Sequence, residues 1–206
     1  MLKLLSVTAA LAAALSLAAG PVSAAQDRHA PGAGKPSFEH VHALAATADG
    51  RTLFLGAHSG LFRSEDGGRS WQTVALPSKH PHVDVMAMTP HPEDARVLYV
   101  ATHEAGVFRT GDGGRSWQAA SAGLAGVDVH GLAIDPRDPR KLHAAVRDKG
   151  EGIYRSTDAG GKWVRVDDGP GGEIKVLSSV NISTGMGGIF LYAGTAAGLQ
   201  RNPDCF

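Results

Sequence analysis

Histidines and aspartates in this 206-residue sequence recur at intervals that would gather them on one side of a repeat structure. His42, Met86 and His130 are spaced 44 residues apart, and His40, Asp84 and Asp128 stand two residues before each of them. His58 and His103 follow the short apolar runs Leu53-Phe54-Leu55 and Val97-Leu98-Tyr99-Val100, while His80, His82 and Asp148 lie in connecting segments. Imidazole and carboxylate groups converging from separate repeats can hold a divalent ion such as zinc or copper, and a thioether at Met86 would favour copper over magnesium. The candidate metal- or ligand-binding residues are therefore His40, His42, His58, His103 and His130. Asp84 and Asp128 have a second use, since glycoside hydrolysis needs only two carboxylates at a suitable separation, with Glu104, Asp148 and Glu173 as further sources. A plainer role is that these polar groups line a hydrated channel. The sequence contains no His-x-x-x-His or paired-cysteine spacing, no Gly-x-Ser-x-Gly elbow and no phosphate loop.

The elements that must position these residues are announced by a second pattern. Ser64, Asp66, Gly68 and Trp71 return as Thr110, Asp112, Gly114 and Trp117, and again as Ser156, Asp158, Gly160 and Trp163, with the aspartates 46 residues apart. A further step of 46 reaches Asp204, and Arg63, Arg109, Arg155 and Arg201 precede the four copies. Each motif explains itself as a tight turn, in which carboxylate and hydroxyl accept backbone amide bonds and glycine supplies positive φ. The tryptophan then packs its apolar area against the neighbouring strand. Calcium binding by Asp66, Asp112 and Asp158 is a poor alternative, because a calcium loop needs about six oxygen ligands and each turn offers few.

Four short segments rich in β-forming residues fit each repeat, and prolines in Pro90-His91-Pro92 and Asp135-Pro136-Arg137 mark turns between the first and second. The second segments, including Phe190-Leu191-Tyr192-Ala193, are apolar on both faces, as strands sandwiched between neighbours require. Ala43, Ala87 and Gly131 are small where the strands crowd an axis. The expected fold is all-β: a β-propeller of four-stranded antiparallel blades, with about four blades present. In such a meander, connections alternate between two rims. The motif turns and His91 fall on one, while His40, His42, His58, His80, His82, Asp84, His103, Asp128, His130 and Asp148 fall on the other.

Ser/Thr-x-Asp-x-Gly-x-x-Trp resembles the Asp-box, or BNR, repeat found in sialidases, sortilin-type receptor propellers and photosystem II assembly factor-like proteins. The stretch from His40 to Arg63 also looks like bacterial exported Asp-box proteins often labelled glycosyl hydrolases. The resemblance runs from about residue 39 onward and implies the fold more strongly than an activity. A sialidase site would have three arginines, a tyrosine with a glutamate, and an aspartic acid at the channel mouth. Here Tyr99, Tyr154 and Tyr192 lie inside repeat strands, the recurring arginines flank the Asp boxes, and the Arg-Ile-Pro motif is absent.

The N-terminus is basic at Lys3, runs through Ala and Leu from Leu4 to Ala19, and breaks at Gly20-Pro21 before small-residue cleavage sites. It reads as a signal peptide over residues 1–25, too short in its apolar run for the roughly 20 residues of a span. Residues 26–38 read as a flexible leader and 39–206 as the propeller, its last repeat incomplete. Twenty basic and 20 acidic residues give no net charge, so nucleic acid is not an expected partner. A single cysteine, Cys205, excludes an internal disulfide. Three closures fit four repeats: a compact ring, an incomplete ring completed by a partner such as a second copy, or part of a longer protein, with an open or partner-completed ring favoured. The function expected is an exported, non-catalytic module binding a metal, small ligand, glycan or protein through its histidine-rich rim. A sialidase-like glycoside hydrolase and an assembly scaffold are the alternatives.

Overall fold

The computed structural model describes residues 38–170, 173–183 and 189–203. Residues 1–37, which include the signal peptide and most of the leader, lie outside the described residues, as do Asp204 and Cys205. Every described element is a strand. Blade 1 is β1 (Val41–Ala46), β2 (Leu53–Ala57), β3 (Gly60–Ser64) and β4 (Gln72–Val74); blade 2 is β5 (Val85–Pro90), β6 (Leu98–Thr102), β7 (Val107–Thr110) and β8 (Gln118–Ala119). Blade 3 is β9 (Val129–Ile134), β10 (Leu142–Val146), β11 (Gly152–Ser156) and β12 (Val164–Asp167), and blade 4 is β13 (Ile174–Ser183), β14 (Ile189–Thr195) and β15 (Gly198–Pro203). Each sheet is an antiparallel meander in chain order, and the four sheets form a four-bladed β-propeller. No described helix is long and apolar enough to cross a membrane.

The first strands line the axis, with β1 packed on β5, β5 on β9 and β9 on β13. Crowding there is real at Gly131, where an added Cβ would lie 2.7 Å from the Leu177 Cβ of the next blade. Between blades the core is a stack of apolar layers. Phe54, Leu61, Leu98 and Val100 join blades 1 and 2; Tyr99, Ala101, Leu132 and Leu142 join blades 2 and 3; Ile153, Leu177 and Leu191 join blades 3 and 4. The ends of the stack differ from its middle. Leu44 is 67% exposed, whereas Leu132, its equivalent in blade 3, is 4% exposed. Val176 and Leu199 of blade 4 are also exposed. The leading face of blade 1 and the trailing face of blade 4 are thus largely open to solvent.

One local feature recurs in every first strand. The pairing of β1 with β2 skips His42, that of β5 with β6 skips Met86, that of β9 with β10 skips His130, and that of β13 with β14 skips Lys175. These are β-bulges. A bulge leaves its extra residue outside the ladder and redirects its side chain, and here it does so at the mouth of the axis.

The Asp-box turns link β3 to β4, β7 to β8 and β11 to β12. In the first, the Ser64 hydroxyl donates to Asp66 Oδ1 at 2.8 Å and accepts from the Gly68 amide at 2.9 Å. Asp66 also accepts from the Ser70 amide at 2.9 Å and its hydroxyl at 2.6 Å. Thr110, Asp112, Gly114 and Ser116 repeat this network. Ser156, Asp158 and Gly160 repeat most of it, with Lys162 offering only its amide to Asp158. These bonds favour the ionised form: Asp66 is lowered from 3.8 to about 2, with the Ser70 hydroxyl the largest cause, and Asp112 and Asp158 are lowered likewise.

Candidate metal centre

The opposite rim is built from pairs that clasp one blade to the next. The residue after β2, His58, faces the carboxylate before β5, with Nδ1 2.8 Å from Asp84 Oδ2. The residue after β6, His103, approaches the carboxylate before β9, with Nε2 3.9 Å from Asp128 Oδ2. The residue after β10 is Arg147, which contacts Glu173 before β13 at 3.0 Å. The backbone explains the recurrence: the His103 amide donates to the Asp84 carbonyl and the Arg147 amide to the Asp128 carbonyl, at 3.0 and 2.9 Å. Junction three is therefore an ordinary arginine–glutamate pair, while junctions one and two use histidine.

A third side chain with a donor atom joins each histidine–aspartate pair, supplied by the bulges. His42 places Nε2 3.4 Å from Asp84 Oδ1, and His130 places Nε2 2.7 Å from Asp128 Oδ1. Two groups result, His42–His58–Asp84 and His103–Asp128–His130, each with one donor atom per residue and all donors within 4.8 Å of one another. The two carboxylate oxygens nearest the bulge histidines, Asp84 Oδ1 and Asp128 Oδ1, are buried; Asp128 Oδ1 has His130 Nε2 within bonding distance, while Asp84 Oδ1 has no hydrogen-bond partner.

Two further carboxylates hold these groups in place. Glu104 accepts from the Asp84 amide at 3.0 Å, and Asp148, 44 residues on, accepts from the Asp128 amide at 3.4 Å. Gly126 keeps the backbone close there, since an added Cβ would lie 2.6 Å from the Lys149 carbonyl oxygen and against the Asp148 carboxylate. Between the groups is a hollow of about 200 Å³ lined by His58, His82, Asp84, His103 and Glu104. His130 is buried, and burial pushes its pKa below the ordinary value; Arg147 and His103 add to this, and Asp128 opposes it. A neutral imidazole is the form that ligates metal.

Of the other sequence candidates, His40 lies beside the first group, its ring centroid 6.2 Å from that of His58. His80 is exposed, its amide bonded to Ser78. His91, on the Asp-box rim, accepts two backbone amides in its turn. Asp84 and Asp128 belong to separate groups, each engaged with histidine. The recurring arginines are scaffold: Arg63 pairs with Glu65, Arg109 donates to the Tyr99 hydroxyl, and Arg201 lies over the Phe190 ring. Arg147 carries no signal in the sequence, and Glu104, Asp148 and Glu173 enter there as candidate carboxylates for glycoside hydrolysis. The 44-residue spacing of Glu104 and Asp148 was the signal that could have revealed their shared task.

The model of the Sortilin-Vps10 family, described as "Sortilin, neurotensin receptor 3", matches residues 59–172, more than half of the chain. No curated protein sequence matches. Among solved structures, the chain is similar to the GH74 enzyme of Niastella koreensis, at 21% identity and a TM-score of 0.57, over 77% of this chain and 26% of that one. It is similar to YCF48 bound to D1 peptide, at 16% identity and a TM-score of 0.54, over 79% of this chain and 50% of that one. The extracellular domain of a putative hybrid two-component system from B. thetaiotaomicron matches at 17% identity and a TM-score of 0.59, over 81% of this chain and 24% of that one. The chain thus spans about a quarter of the length of the GH74 enzymes, and at these identities the likeness is one of fold.

Proposed function

The chain belongs to the Sortilin-Vps10 family of propellers, and from that premise we propose that it is an exported, non-catalytic binding module whose histidine rim holds transition-metal ions, zinc or copper. One observation carries the reading: a buried carboxylate oxygen of each group lies beside an imidazole nitrogen, and one of the two, Asp84 Oδ1, 3.4 Å from His42 Nε2, has no hydrogen-bond partner. A buried, unpartnered acceptor is costly, on the order of 1–3 kcal/mol. A cation bound by oxygen and nitrogen lone pairs together removes that cost. Two imidazoles and a carboxylate suit zinc or copper(II), and leave a coordination position for water or an external ligand.

The two groups are unequal. The Arg147 guanidinium lies 3.2 Å from His130 Nε2, and its charge opposes a cation in the second group. The first group is expected to fill first. Export is supported by the signal-peptide pattern, and similar folds include extracellular domains.

Titration of the metal-stripped protein with zinc and copper salts, followed calorimetrically, tests the reading. His42→Ala should abolish the tighter site and His130→Ala the weaker one. Absence of binding, or binding indifferent to both substitutions, overturns it. Glycoside hydrolysis is the competing reading, given the GH74 neighbours; cleavage of chromogenic glycosides that is lost in Asp84→Asn and Asp128→Asn would replace the present one.

A further inference from the structure

Apart from the histidine rim, the outer parts of the blade junctions differ from one another. At junction 1–2 the Asp-box tryptophan of blade 2, Trp117, packs on Phe54 of blade 1 with ring centroids 6.2 Å apart. At junction 2–3 the tryptophan of blade 3, Trp163, is 1% exposed, and its Nε1 donates to the Ala120 carbonyl of blade 2 at 2.7 Å. The floor of each indole site is set by the second strand. Phe54, Tyr99 and His143 are equivalent, each standing opposite a recurring arginine, Arg63, Arg109 or Arg155.

At junction 3–4 the same place is a cavity of about 310 Å³, bordered by His143 and Ile153 of blade 3 and by Leu191, Ala193, Gln200 and Asn202 of blade 4. That volume lies within the roughly 300–1,000 Å³ of ligand pockets. A second feature adjoins it. Among the described residues β15 pairs only with β14, whereas β3, β7 and β11 each carry a fourth strand that begins just after the tryptophan. The sequence has three tryptophans, all placed in their own blades.

The geometry points to one occupant for both features: an extended polypeptide strand, supplied from outside the described residues, that adds to the β15 edge and seats a tryptophan in the cavity. Main-chain bonds to β15 would hold the strand, and the indole would give specificity, as in strand addition to exposed sheet edges. The pattern it must carry is that of the existing outer strands, a tryptophan followed by two to four residues in extended conformation.

The probe is a dye-labelled octapeptide copying residues 67–74 (Gly-Gly-Arg-Ser-Trp-Gln-Thr-Val), titrated into the 206-residue protein and followed by fluorescence anisotropy. Saturable one-to-one binding is expected, at least tenfold weaker when the peptide tryptophan is alanine. Gln200→Trp, which fills the cavity from β15 itself, should weaken binding at least tenfold with the circular-dichroism spectrum unchanged. Should that variant fail to fold, Gln200→Glu, which sets a charge on the cavity wall, should do the same. Equal binding of the tryptophan and alanine peptides, or indifference to the Gln200 change, overturns the proposal. So does binding of N-acetyltryptophanamide as tight as that of the peptide, because the strand would then contribute nothing.

Discussion

On one rim of the propeller, Asp66 and Asp112 each accept from a hydroxyl two residues before, from a serine amide and from that serine's hydroxyl. On the other, Asp84 and Asp128 each turn a buried oxygen towards an imidazole of the bulge, and that of Asp84 is without a hydrogen-bond partner. The repeat supplies carboxylates to both rims at similar spacing. Those of the first spend their lone pairs on their own turns, and the result is scaffold. Those of the second hold lone pairs in reserve, and unmet hydrogen-bonding capacity in a folded protein is where a ligand can be accommodated at least cost.

Substitutions can break this contrast. The largest effect is expected on the scaffold side from Trp163→Ala, which empties a buried indole site and should cost about 3–5 kcal/mol in chemical denaturation. Metal affinity of the protein that remains folded should change by less than about twofold, since effects at well-separated sites are nearly independent. On the histidine rim the pattern reverses. Asp84→Asn should weaken the tighter metal site about a hundredfold, about 2.7 kcal/mol by calorimetry, while the metal-free melting temperature holds or rises. A large loss of metal-free stability would instead make the histidine rim a second scaffold.

Smaller changes sharpen the same division. Ser64→Ala removes a buried hydroxyl that serves both Asp66 and the Gly68 amide, and should cost about 1 kcal/mol by denaturant melt, with metal binding untouched. Ala159 holds φ at 60° where the other copies have Gly67 and Gly113, so Ala159→Gly should raise stability by about 0.5–1 kcal/mol. Acid tests the Asp-box rim. Asp66 titrates at about 2 when folded, against an ordinary 3.8, so its contribution is present above about pH 4. It is lost as pH falls through 2, and a pH series of melts should show stability declining across that window.

Much of the architecture was legible in the sequence because the signals are local. A 46-residue period, glycines where φ must be positive and a tryptophan after each turn identify the blade, and strand counting then assigns every loop to a rim. The propeller followed from that, and the collection of histidines on one rim followed from the alternation of connections. What local pattern did not supply was partnership. His40 lines up with Asp84 and Asp128 in the repeat yet lies outside both three-residue groups. Arg147 and Glu173 occupy the same clasp as His103 and Asp128 without resembling them.

The sequence by itself determined the repeat unit, the chemistry of its turns and the rim on which each loop emerges, since all three depend on residues within one blade. Only the tertiary structure decided that the histidine rim divides into two groups, that bulges at His42 and His130 bring the third side chain to each, and that junction 3–4 leaves a cavity where the other two enclose an indole. Those outcomes depend on the spacing between blades. Side chains from consecutive repeats meet there at distances that neither repeat encodes alone.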